Sequence, residues 1–125
     1  MSNQRFIRDM RRYAEKTSQT LEDVAIGFKV ELFTGIIKDT PVDTGRLRGN
    51  WQTSTGAPKT SEIERIDPDG GAATREVETT VKPDTIDYLS NNLPYASFIE
   101  ERAAMVAKNV ERVNRTMQEV VRDVT

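Results

Sequence analysis

The chain has 125 residues, with 18 Lys and Arg against 20 Asp and Glu, a formal net charge of −2, and neither Cys nor His. That composition excludes disulfides, thiol nucleophiles, imidazole bases and nearly all zinc chemistry, and the charge balance gives no global attraction to DNA or anionic membranes. The length suits one domain, 1–125, and no apolar run reaches the roughly 18 residues of a membrane span. No membrane is expected as a partner, and the N-terminus lacks the apolar core of a signal peptide, so synthesis inside the cell is expected.

From Phe6 to about Asp39 the apolar residues Phe6, Met10, Tyr13, Leu21, Val24, Phe28, Leu32 and Ile36 recur at spacings of three and four, with Thr17 filling the one gap, the helical period. This predicts one long helix or two abutting ones, with a break near Thr17 to Thr20 and Thr20 as the second N-cap. Gly27 and Gly35 interrupt the pattern and are read as sites of close packing by another element, with loosening of the last turn before Pro41 as the alternative for Gly35. Arg5, Arg8, Arg11, Arg12 and Lys16 make the start basic: a solvated face, or a contact with an acidic partner or DNA phosphates. Pro41 ends the helix, and Asp43, Thr44 and Gly45 supply turn chemistry. A strand then follows from Arg46, with Leu47, Gly49 and Trp51 on one face.

Further on, Gly56 and Pro58 open a loop expected to be flexible over about 57–73, with Asp67 to Ala73 as its exposed tip. A calcium loop at Asp67 and Asp69 lacks the third ligand position and the closing Glu of that motif. Residues 74–82 and 84–90 read as further strands, with Ile86 and Tyr88 on one face of the second. Pro94 suits the first turn of a short helix whose Tyr95, Phe98 and Ile99 face inward. Val106, Val110, Val113, Met117, Val120 and Val124 then alternate gaps of four and three, a stripe suited to the N-terminal helix or a neighbouring subunit. The predicted fold class is α+β: a small, mainly antiparallel sheet from 46–56, 74–82 and 84–90, covered by the N- and C-terminal helices.

Two blocks carry a resemblance. Thr40-Pro-Val-Asp-Thr-Gly-Arg-Leu47 after a long amphipathic helix, and Tyr88-Leu-Ser-Asn-Asn-Leu-Pro-Tyr-Ala-Ser-Phe-Ile-Glu100, resemble the two signatures of the tail-component family of tailed bacteriophages typified by phage HK97. In place of that family's Gly-containing loop with Pro before a Met, this chain runs Glu101-Arg-Ala-Ala-Met105 straight on. The resemblance implies a structural virion protein of the neck, a tail-completion component at the head–tail junction, assembled in the host bacterial cytoplasm. It further implies a homo-oligomeric ring of six or twelve copies, with connector or head-closure proteins and tail proteins as neighbours. DNA would pass through the ring without sequence-specific binding. Pro41, Asp43, Thr44 and Gly45, with Arg46, Leu47 and Trp51 after them, would shape the helix-to-sheet corner, and Pro94, Tyr95, Ala96 and Glu100 a second one. The valine stripe supplies the candidate oligomer interface.

No Ser-x-x-Lys or Gly-x-Ser-x-Gly arrangement occurs, so no catalytic residue, cofactor or metal site is predicted and the chain is not expected to be an enzyme. The alternatives are a small nucleic-acid-binding module using Arg46, Arg48, Lys59 and the basic N-terminus, or a helical adaptor. The first suffers because Trp51 points away from the strand's arginines, leaving no interleaved basic and aromatic platform.

Overall fold

The computed structural model describes residues 4–8 and 18–124, with side chains over 4–8 and 21–122. Residues 4–8 are helical, followed by helix α1 (Ser18–Asp39), the single-turn helix α2 (Arg46–Gly49), strand β1 (Gln52–Thr55), helix α3 (Gly71–Thr80), strand β2 (Asp87–Ser90), helix α4 (Ala96–Ala103) and helix α5 (Met105–Val124). The fold is α+β. Its sheet is smaller than the sequence predicts: β1 and β2 pair antiparallel, with Gln52 opposite Ser90 and Thr55 opposite Asp87. Met10, Tyr13, Thr17, most of the N-terminal basic cluster and the side chain of Val124 lie outside the described residues. Thr20 is already helical, so it does not cap α1.

The helix stops where Pro41 requires. The Arg48 guanidinium caps this end, donating to Lys38 O at 3.0 Å, to Thr40 O just beyond the helix at 2.8 Å, and also to Pro68 O at 2.7 Å. Thr40 Oγ1 donates to Ile36 O at 2.7 Å and accepts from Trp51 Nε1 at 2.8 Å. The lone tryptophan is thereby fixed in the core against the end of α1.

The predicted strand at Arg46 is instead one turn of helix. Gly45 has φ +92° and turns the chain, and its carbonyl accepts from Gly49 N at 2.9 Å. The side chain of Asn50 closes the other end by donating to Arg46 O at 2.9 Å. Leu47, Gly49 and Trp51 are buried, but so are the intervening Asn50 and Gln52, so the alternation expected of a strand does not hold here.

The strand predicted over 74–82 is helix α3. Its β-branched residues favour a strand, but Ala73, Val77 and Val81 are spaced by four and all are buried, the helical solution. The start is fixed by carboxylates within the supposed exposed tip: Asp67 accepts from Ala72 N at 3.1 Å and Ala73 N at 2.9 Å, and Asp69 from Gly71 N at 2.8 Å. Asp67, Gly70 and Ala73 are buried, so the tip belongs to the core. Burial works to raise the Asp67 pKa, but the Ala73 and Ala72 amides and the Arg65 charge hold it below its ordinary value.

The main core joins Phe33, Ile36 and Ile37 of α1 to Trp51, Val77 and Met105. A second cluster sets Phe6 edge-on to Phe28, centroids 5.5 Å apart, over Val113 and Val120. Where α1 crosses α5, Gly35 leaves room for Asn109 and Arg112, either of which a Cβ would strike. Asn109 Nδ2 donates to Asp39 Oδ2 at 2.8 Å and to Met105 O at 2.7 Å, while Arg112 pairs with Glu31 at 2.8 Å. The valine stripe is therefore split. Val113 and Val120 are core residues and Val106 is half-buried, whereas Val110 and Met117 are 47% and 39% exposed. Their predicted inward places belong to Asn109 and Thr116, polar groups satisfied by hydrogen bonds inside the helix pair.

A part-buried ion pair ties α1 to the sheet. Lys29 Nζ donates to Asp87 Oδ2 at 2.8 Å, to Thr85 O at 2.6 Å and to Lys82 O, and the Asp87 side chain is fully buried. Burial alone would raise the Asp87 pKa; donors from Lys29, Thr55, the Lys82 amide and Thr85 outweigh it and lower it from 3.8 to about 2. The unfolded chain therefore protonates first on acidification, so this stabilisation is complete above the ordinary carboxylate value and lost as pH falls through about 2. The stability difference between wild type and Asp87→Asn is expected to shrink by about 2 kcal/mol across that window, as urea titrations at successive pH values would measure.

Candidate functional site

The two motif blocks, tied by a contact across 44 positions of sequence, meet at one corner. Pro41, Val42, Asp43, Thr44, Gly45 and Leu47 from the first, with Tyr95 and Ile99 from the second, line a cleft of about 300 Å³. Thr44 Oγ1 accepts from Arg46 N at 3.2 Å, which shapes the loop, and Asn91 Nδ2 donates to Leu47 O at 2.9 Å, which ties the two blocks together. Leu47 forms a buried floor, with Val42 and Tyr95 exposed at the rim.

Pro94 stands one residue before the N-cap Tyr95, outside the first turn in which it was predicted. Burial also differs: Ala96 and Leu93 face the core, while Tyr95 and Phe98 are 40% and 51% exposed. The helix is short and presents its small residue inward, which brings it close to the core and turns both aromatics out. Arg102 lies over the Phe98 ring, 4.4 Å from its centroid.

Glu100 has a definite task. Its two carboxylate oxygens accept from Val106 N at 2.8 Å and Ala107 N at 3.0 Å, capping the start of α5, while Ala104 between the helices takes φ +50°. The chain makes with Ala104 the left-handed bend for which Gly is the usual residue.

Arg46, Trp51, Pro94, Ala96 and Glu100 do not line the cleft. Arg46 forms an exposed pair with Glu62 at 3.3 Å, Arg48 is occupied by carbonyls, and Trp51 is buried, so these residues make no stacking platform for nucleic acid. The polar groups of the cleft are a carboxylate, a hydroxyl and a phenol around an apolar floor, an arrangement suited to seating an apolar side chain. Among the described residues, no three acidic side chains gather as a metal site, and no helix is long and apolar enough to cross a membrane. The exposure of Phe98 was not legible in the sequence, because an aromatic on a short amphipathic helix reads as core.

Comparison with known protein families, curated proteins and solved structures finds no match for this chain.

Proposed function

We propose that the chain is a non-enzymatic structural protein of a tailed-bacteriophage neck, forming a ring of six or twelve copies at the head–tail junction through which DNA passes. The observation that carries this reading is the meeting of the two motif blocks in one apolar cleft with an exposed aromatic rim. A second apolar strip on α5, Val110 and Met117, gives each copy another surface for a neighbour. Different patches on one subunit are what a head-to-tail ring requires, with connector or head-closure proteins above and tail proteins below.

The test combines localisation with a variant. Gold-labelled antibody against the chain is expected to mark the head–tail junction of purified particles, and a chain absent from particles would overturn the proposal. Val110→Asp with Met117→Asp is expected to remain folded, because both positions face solvent, and to fall to background copy number in particles. Val113 and Val120 are unsuitable for that test, since a charge at either would disrupt the core.

A further inference from the structure

Helices α4 and α5 meet in a bend that their own sequence does not favour. Glu100 to Lys108, Glu-Glu-Arg-Ala-Ala-Met-Val-Ala-Lys, contains no Gly or Pro, and Val106 is its one β-branched residue, so local propensity runs through the junction as continuous helix. Yet Ala104 takes φ +50° and ψ +38°, a left-handed conformation disfavoured for any residue with a Cβ. The interruption is narrow. Ala104 N donates to Glu100 O at 2.8 Å and Lys108 N to Ala104 O at 2.9 Å, both one helical turn apart, so only the amides at 105–107 leave the ladder. Two of these are held by Glu100, whose carboxylate accepts from Val106 N and Ala107 N. Helix α4 has a light hold on the body: Ala96 is its one buried residue, with Ile99 partly buried against the core.

We propose that this junction is a latched hinge: release of Glu100 from the α5 amides lets residues 96–124 form one continuous helix, and α4 swings off the cleft as a lid. In the straight state Val106 N and Ala107 N donate to Arg102 O and Ala103 O, their ordinary helical partners, and Ala104 returns to right-handed angles. What the swing gives up is the burial of Ala96 and Leu93. Residues 91–95 reach about 17 Å when extended, against about 12 Å for the length of α4, so they can follow once the side-chain bonds of Asn91 and Asn92 release. Helix α5 stays in place, because Asn109 and Arg112 fix it to α1. Since Tyr95 and Ile99 form one wall of the cleft, the swing lays open its Leu47 floor, which is buried in the bent state. The bent chain therefore hides apolar surface that the straight chain presents. The hinge belongs to the single chain: its failure leaves the neck reading standing, and absence from phage particles leaves the hinge standing.

Because the chain has no cysteine, Ser97→Cys with Gln118→Cys, both at exposed positions, accepts one spin label on each side of the bend. In one straight helix the two backbones lie about 32 Å apart, and any bend brings them closer. The chain with these two changes alone is expected to give the shorter distance by double electron–electron resonance. Glu100→Ala removes the latch, and Ala104→Val adds a β-branched side chain that the left-handed bend resists and a helix accepts. Each is expected to make about 32 Å the main distance, with the helical circular dichroism signal undiminished. Ala104→Gly, which suits the bend, is expected to keep the shorter distance. Retention of the shorter distance by either folded variant, Glu100→Ala or Ala104→Val, overturns the proposal. So does a loss of helical signal in both, since a frayed or unfolded junction is not a continuous helix.

Discussion

Deletion of residues 67–73 is expected to unfold the domain. The segment supplies the carboxylate that caps α3, the Pro68 carbonyl that holds Arg48 across the end of α1, and the fully buried Ala73. Removing it leaves α3 without its first turn and the Arg48 guanidinium short of a partner, while the core side of Val77 loses its anchor. Each effect costs about 1–3 kcal/mol, and together they approach the whole stability of a small domain, about 5–15 kcal/mol. Circular dichroism and a thermal melt decide the matter: a cooperative transition within a few degrees of wild type would show that the segment is dispensable.

Gly45→Val should cost about 3 kcal/mol or more, and clearly more than Gly56→Val. Both glycines have positive φ, +92° and +86°, so a β-branched residue is strained at either. Only at Gly45 does space also run out, since a Cβ would lie 2.6 Å from Pro68 N and 2.8 Å from its Cα, whereas nothing lies within 4 Å at Gly56. Backbone atoms cannot rotate aside as a flexible side chain would. Urea midpoints for the two variants give the comparison, and equal midpoints would exclude close packing at Gly45 as the deciding factor.

The long helices, the stop at Pro41 and the β1–β2 region were legible because each follows from local rules: periodicity, the missing proline N–H, or β-branched residues bounded by turn signals. Helix α3 was not legible. Thr74, Val77, Thr79, Thr80 and Val81 favour strands individually, and the choice was made by Asp67, whose capping role depends on the fold returning its carboxylate to the amides of Ala72 and Ala73. For α5, hydropathy identified Val113 and Val120 but ranked Val110 and Met117 above Asn109 and Thr116. Only the opposing Gly35 and Asp39 explain why an amide takes the inward place. The residues of the cleft were named from the two motifs, but their meeting required the tie from Asn91 to Leu47, a contact across 44 positions that no short-range pattern encodes.

The polar seam between α1 and α5 also has a mechanical meaning. A purely apolar helix pair can slip by one turn, about 5.4 Å, and recover most of its contacts. Here a slip would separate Arg112 from Glu31 and Asn109 from Asp39, and would drive a side chain into the notch that Gly35 leaves. The pair has one axial setting, so a load pulling along α5 is delivered to α1 and, through Lys29 and Asp87, to the sheet as shear across hydrogen-bonded groups. Such a body resists tension by breaking several bonds together rather than by creeping one turn at a time.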